Sequence, residues 1–167
     1  MNVQPDFQFK ISRVFNAPRD VVWKAWTDEV HLLEWWHPKG FKTRFAKVDL
    51  RPGGMFHYGL ETPDGKAFCG RFIYRAIEPP SHLEFVMSFA DEDANIARNI
   101  WNEGWPLEIL HVVTFTEKGG KTEVSLRSHP VNATPEEIAA FEAGAPSMKG
   151  GYGGTFDNLD DLLASKK

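Results

Sequence analysis

The side chains with the most chemistry to offer are six histidines, one cysteine and a few charged residues in strand-like runs. The histidines are His31, His37, His57, His82, His111 and His129. No two of them stand at His-x-x-x-His or a comparable ligand spacing, and Cys69 has no second cysteine to work with. A structural metal site is therefore not expected, and no cofactor is. His57 and His111 both fall in alternating, strand-like runs and titrate near neutral pH. With Glu108 they form the candidate set for acid–base catalysis. The plainer reading, a surface histidine or a hydrogen-bonded core histidine, weighs more for each. A nucleophile is harder still to find. There is no Gly-x-Ser-x-Gly, and "GRFIYRAI" beside Cys69 supplies no adjacent base. No catalytic residue is assigned, and a non-enzymatic role is the preferred expectation.

A second chemistry would be phosphate binding by "MKGGYGGTFDNLDDLLASKK", with Gly150, Gly151, Gly153 and Gly154 close together. The stretch lacks the Gly-Lys-Ser/Thr ending of a phosphate-cradling loop and does not directly follow a strand. Its apolar residues, Met148, Tyr152, Phe156, Leu159, Leu162 and Leu163, recur at helical intervals. The segment is expected to be a helix, held by packing because glycine costs about 1 kcal/mol at each interior helical position. Its glycines then mark a cavity wall or points of close backbone approach.

The third chemistry is apolar recognition. The chain carries 13 Phe, 6 Trp and 3 Tyr. That many rings in a small domain make either a ring-filled core or a ring-lined pocket.

The elements that would position these groups read as follows. "FQFKISRVF" alternates and opens the fold as a strand. "NAPRDVVWKAW" has a cap-like Asn16, with Pro18 at an early helical position. "TDEVHLLEWW" restarts as a second short helix with Thr27 or Asp28 as cap, and "HPKG" stops it. Six strand-like runs follow, separated by turns such as "RPGG", "TPDGK", "EPPS" and "KGGK". Short connections between consecutive strands predict an antiparallel sheet. The long connection "DEDANIARNIWNEGWP" spaces Ile96 and Ile100 for a short helical turn. Thr134, Pro135 and Glu137 form a capping box that starts another helix.

Composition narrows the class. A chain of 167 residues suits one domain, taken as 1–167, with one core. The net charge of −4 and pI near 5.9 argue against a nucleic-acid partner and an anionic membrane surface. No apolar run reaches the length of a membrane span, and "MNVQPDFQFK" does not read as a signal peptide. A cytoplasmic location is the default expectation.

The order of a strand, two short helices, an antiparallel run and a long C-terminal helix is the helix-grip layout. "VFNAPRDVVWKAWTDEVHLLEWWHPKGF", "RPGGMFHYGLETPDGK", "AIEPPSHLEF", "VVTFTEKGGKTEVSL" and "GGYGGTFDNLDDLL" carry a more specific likeness. Together they resemble the bacterial SRPBCC proteins of the Aha-type group. These are related to the C-terminal domain of the activator of the heat-shock-protein-90 ATPase. The likeness runs from about Phe7 to Leu163. It implies an α+β, START/Bet v 1-like fold: a curved antiparallel sheet of six to seven strands around the C-terminal helix, with a cavity between them. Tyr152 stands where the group usually has Trp, and His37 where it usually has Gly. The loop with Trp101 and Trp105 is longer than usual.

What the resemblance implies for function is the binding of a small hydrophobic or aromatic molecule: lipid-, polyketide- or hormone-like. The pocket candidates are Trp35, Trp36, Phe41, Phe56, Tyr58, Phe85, Met87, Phe89, Trp101, Trp105, His111, Met148, Tyr152 and Phe156. One of Trp35 and Trp36 is expected in the pocket and the other in the core. Relatives of this kind include polyketide aromatase/cyclases and a resistance protein that sacrifices itself to an enediyne antibiotic. An aromatase/cyclase- or hydrolase-like enzyme is thus one alternative. A chaperone-ATPase-activating interaction module is another, by family analogy alone. The eukaryotic activator has a further N-terminal domain, for which this chain has no expected room. A homodimer is left open.

Overall fold

The computed structural model describes residues 7–165. The expectation about a leader segment falls largely on residues 1–6, outside the described residues. In chain order the elements are β1 (Phe9–Phe15), α1 (Arg19–Thr27), α2 (Glu29–Trp35), β2 (Lys42–Val48), β3 (Met55–Glu61) and β4 (Ala67–Glu78). Then come β5 (His82–Ala90), β6 (Ile109–Lys118), β7 (Lys121–Pro130), α3 (Pro135–Ala143) and α4 (Ala145–Ser165). The seven strands form one curved antiparallel sheet in the order β1-β7-β6-β5-β4-β3-β2. Strands β2 to β7 pair with their chain neighbours, and β1 closes the far side by pairing with β7. This is the helix-grip arrangement expected from the sequence.

Strand alternation sets which face meets the helices. Leu83 and Phe85 of β5, Val113 and Phe115 of β6, and Val124 and Leu126 of β7 are all buried on one face. Against them lie Phe156, Leu159, Leu162 and Leu163 of α4. Phe15 and Phe156 meet edge to face at 5.6 Å, as do Trp26 and Phe115 at 5.9 Å. Arg13 of β1 reaches across to Asp157 at 2.8 Å and Asp160 at 2.9 Å. The register of α4 against the sheet edge is thereby fixed.

The helix starts follow local chemistry. Thr134 accepts the amide of Glu137, and the Glu137 carboxylate accepts the amide of Thr134, completing the capping box of α3. Asp28 caps α2 by accepting the His31 amide. Asn16 does not cap α1. Pro18 takes that position with φ −62° and ψ 155°, and its carbonyl receives the amides of Val21 and Val22 at 3.1 Å each. The fixed proline φ suits the boundary, so no side-chain cap is needed there.

The connection between β5 and β6 is not helical at Ile96–Ile100. Ile96 instead makes a bridge to Ala90, and the Ala97 amide donates to the Phe89 carbonyl. Strand-like pairing with the end of β5 satisfies backbone groups that a lone helical turn would leave open.

Candidate functional site

A cavity of about 590 Å³ lies between the first half of α4, strands β3 to β6 and the loop that carries Trp101 and Trp105. Its existence traces to small side chains on one stripe of the helical segment. Gly144, Ser147, Gly151 and Thr155 all border the space, at intervals of three and four residues. Beyond Thr155 the inward residues become large, and Phe156 and Leu159 are fully buried against the sheet.

Ten of the residues proposed from sequence border this cavity: Trp36, Phe41, Tyr58, Met87, Phe89, Trp101, Trp105, His111, Met148 and Tyr152. The other four do not. Trp35, Phe56, Phe85 and Phe156 are completely buried in the packed core. Trp35 is still in α2 and points its indole N–H at the Ala25 carbonyl, 2.8 Å away. Trp36 is the residue after the helix, at φ −78° and ψ 76°, which swings its ring onto the sheet beside Phe72. Phe56 and Phe85 share a sheet face with Tyr58 and Met87 but sit farther along the strands, where Phe72 fills the space between them. Phe156 lies one helical turn beyond Tyr152, against Phe15 and Trp26.

Sequence reasoning missed several wall residues, among them Leu60, Phe68 and Phe141, whereas Gly151 borders the cavity as the reading of the glycines as a cavity wall allowed. Phe68 was findable from alternation, because it pairs directly with Leu60 across β3 and β4 and both face inward. At Gly70 a Cβ would sit on the Tyr58 hydroxyl, so glycine there is what lets Tyr58 lie across β4 into the cavity.

The polar groups of the cavity are few. None of the lining side chains, among the described residues, is Asp, Glu, Lys or Arg. His111 lies on the cavity wall, stacked on Phe85 with ring centroids 5.1 Å apart. Its Nδ1 is 3.3 Å from the Ile109 carbonyl and its Nε2 is 2.7 Å from the Tyr152 hydroxyl. A carbonyl only accepts, so Nδ1 carries the proton and Nε2 accepts from Tyr152. Burial pushes the His111 imidazole down to about 4, so it is neutral at physiological pH. Burial likewise raises the Tyr58 and Tyr152 hydroxyls, which stay protonated. Nearer the opening, His37 Nδ1 is 2.9 Å from the Thr43 hydroxyl, which donates to the Trp36 carbonyl. Burial also lowers the His37 pKa.

The loop forms the outer wall. Trp105 packs on Phe141 and on Gly144, where a Cβ would lie 2.6 Å from its ring. Trp101 covers Phe68, with centroids 4.9 Å apart, and remains half exposed. Arg98 ties the loop to α3 by donating to Glu137 at 2.9 Å.

The acid–base set His57, His111 and Glu108 does not assemble. Tyr58 and Phe56 point inward, so His57 between them points to the opposite face of the sheet. There its Nε2 meets the Asp91 carbonyl at 3.0 Å. Glu108 precedes β6 and accepts from Asn132 at 3.2 Å. The Cys69 thiol also turns outward and donates to Glu92 at 2.7 Å. Burial, with Glu92 adding to it, pushes that thiol up to about 11, which keeps it from acting as a thiolate. Of that acid–base set His111 alone borders the cavity, where it bonds Tyr152. Among the described residues, no cluster of three or more His, Cys, Asp or Glu could hold a metal ion.

Solved structures of similar shape cover almost all of the chain. Protein Ms6760 from Mycobacterium smegmatis is 28% identical with a TM-score of 0.76, over 93% of this chain and 90% of that one. A protein from Arthrobacter aurescens is 26% identical with a TM-score of 0.79, over 95% and 86%. A Nitrosomonas europaea protein, at 20% identity and TM-score 0.75 over 98% of each chain, shares the fold. No curated protein matches. No helix among the described residues is long and apolar enough to cross a membrane. The family model for "Activator of Hsp90 ATPase homolog 1-like protein" matches residues 16–164, and the chain belongs to that family.

Proposed function

We propose that the protein binds a small, largely apolar molecule, aromatic or lipid-like, in the cavity between α4 and the sheet. The observation that carries this reading is the cavity itself: about 590 Å³, walled mainly by rings and aliphatic groups, with no Asp, Glu, Lys or Arg side chain on its lining among the described residues. Such a volume falls in the range of about 300–1,000 Å³ typical of small-molecule sites. Trp36, Trp101 and Trp105 on its wall supply an intrinsic optical probe. The site would work by apolar burial, worth about 25 cal/mol for each Å² removed from water.

The test is tryptophan quenching and thermal-shift screening against lipids, flavonoids and polyketide-like aromatic compounds. A binding ligand raises the unfolding temperature and quenches emission. In Gly151→Phe, where the new ring enters the cavity from the helix side, both effects should vanish while the fold persists. If no compound shifts the unfolding temperature, or if Gly151→Phe binds as well as the parent, the reading fails.

A further inference from the structure

Building on the ligand-binding reading, we infer that the cavity takes uncharged molecules bearing a hydroxyl or N–H donor, which is held by the Tyr152 oxygen.

Three observations lead there. First, the polar centre is buried deep in the site, with His111 only 3% exposed and Tyr152 bonded to it at 2.7 Å. Second, the direction of the proton is fixed by the Ile109 carbonyl, which forces His111 Nε2 to accept and Tyr152 to donate. The single hydroxyl proton of Tyr152 is thereby used. Its oxygen keeps lone pairs that can accept from a guest, and Met87 Sδ, 3.7 Å away, offers no proton. Third, no Lys or Arg borders the cavity to balance an anion, and no Asp or Glu to balance a cation, among the described residues. An ionised guest would lose its hydration with no opposite charge in return. A carboxylate would also need the Tyr152 proton, leaving His111 Nε2 buried without a partner. An ether or ketone presents only acceptors to an oxygen whose proton is already engaged. An alcohol, phenol or amide N–H completes the chain of hydrogen bonds from guest to Tyr152 to His111 to Ile109.

Four probes of one shape separate these cases at pH 7.5: naphthalene, 2-naphthol, 2-methoxynaphthalene and 2-naphthoate. Isothermal titration or tryptophan quenching gives the affinities. The expected result is 2-naphthol binding about tenfold tighter than 2-methoxynaphthalene, the worth of one well-made buried hydrogen bond. 2-Naphthoate should bind more weakly than naphthalene itself. In the double variant His111→Leu/Tyr152→Phe both partners become apolar, which is tolerated better than removing one. There 2-naphthol should lose its advantage over 2-methoxynaphthalene, and a cooperative thermal unfolding transition certifies the fold independently of binding.

Equal affinity of 2-naphthol and 2-methoxynaphthalene, with naphthalene bound, would overturn the donor anchor and leave the ligand-binding reading standing. So would 2-naphthoate binding as tightly as 2-naphthol, or an advantage of 2-naphthol that survives in the double variant. If none of the four binds, naphthalene included, the ligand-binding reading falls and takes the anchor with it.

Discussion

Gly150, Gly151, Gly153 and Gly154 all lie inside the continuous helix α4, yet they sit in different surroundings. At Gly150 and Gly153 a Cβ would meet nothing within 4 Å. Alanine at either position should gain the helical preference that glycine lacks, about 1 kcal/mol each. For a domain of this size 1 kcal/mol moves the unfolding temperature by about 2–4 °C, so Gly150→Ala/Gly153→Ala should unfold about 4–8 °C higher. Gly154 is the contrast. Its Cβ would lie 2.9 Å from Lys39 Cβ and 3.1 Å from the Lys39 backbone nitrogen, in the turn that follows α2. The turn there is held by the Asn158 amide donating to the His37 carbonyl at 2.9 Å. Forcing backbone apart costs about 1–3 kcal/mol, which cancels or outweighs the same helical gain. Gly154→Ala should therefore leave the unfolding temperature unchanged or lower it. Calorimetry and urea titrations with a common slope would measure the double variant, Gly153→Ala alone and Gly154→Ala. A double variant less stable than the parent would refute the helical placement of these glycines. Gly154→Ala stabilised as much as Gly153→Ala would refute the close approach of Lys39.

Stability should fall in acid in a window set by buried histidine. The His111 pKa is about 4 in the fold and 6.5 when unmodified, so the unfolded chain takes up a proton that the folded one refuses. Its contribution is whole above about pH 6.5 and declines by about 3 kcal/mol on the way down to pH 4. His37 and His129 are shifted the same way by burial, so the measurement is the difference in slope between the parent and His111→Leu. An unchanged slope would exclude the buried neutral imidazole. Thr134→Ala removes the accepting side of the α3 capping box and should cost about 1 kcal/mol in urea unfolding. Leu159→Ala, at a fully buried position on α4, should cost about 2–5 kcal/mol. A cost under about 1 kcal/mol would mean that this half of the helix does not grip the sheet.

Local patterns carried much of this fold in the sequence, and distance along an element carried the rest out of view. Period-two alternation identified the inward face of β5 through Leu83 and Phe85, and helical spacing turned Tyr152 and Phe156 toward the sheet. Periodicity names a face but not a height. Phe56 and Tyr58 share a face two residues apart, and only Tyr58 borders the cavity. Trp35 and Trp36 differ because the helix ends between them, and a boundary of one residue is below what pattern reading resolves. Asn16 misled because it resembles a cap in sequence, whereas the proline two residues later was already sufficient. Grouping His57 with His111 as an acid–base set overlooked alternation, which puts them on opposite faces once Phe56 and Tyr58 are inward.

The cavity is better understood as a division of labour along one helix than as a defect of packing. The second half of α4 presents Phe156, Leu159, Leu162 and Leu163 to the sheet, and Arg13 bonds Asp157 and Asp160 on the same stretch. These contacts hold the helix in place. The first half borders the cavity with Ser147, Gly151 and Thr155, and Gly144 just before it does the same; their small side chains leave the volume open. Gly154 is accounted for by Lys39, and nothing in the structure explains glycine at 150 and 153. Gly151 is different, because an alanine there would favour the helix without touching anything, and its only structural consequence would be a smaller cavity. A chain shaped by stability alone gains nothing from that glycine. Because gripping and lining fall to different residues of α4, guest affinity and fold stability can be changed separately, and Gly151 is the position where the two requirements oppose each other.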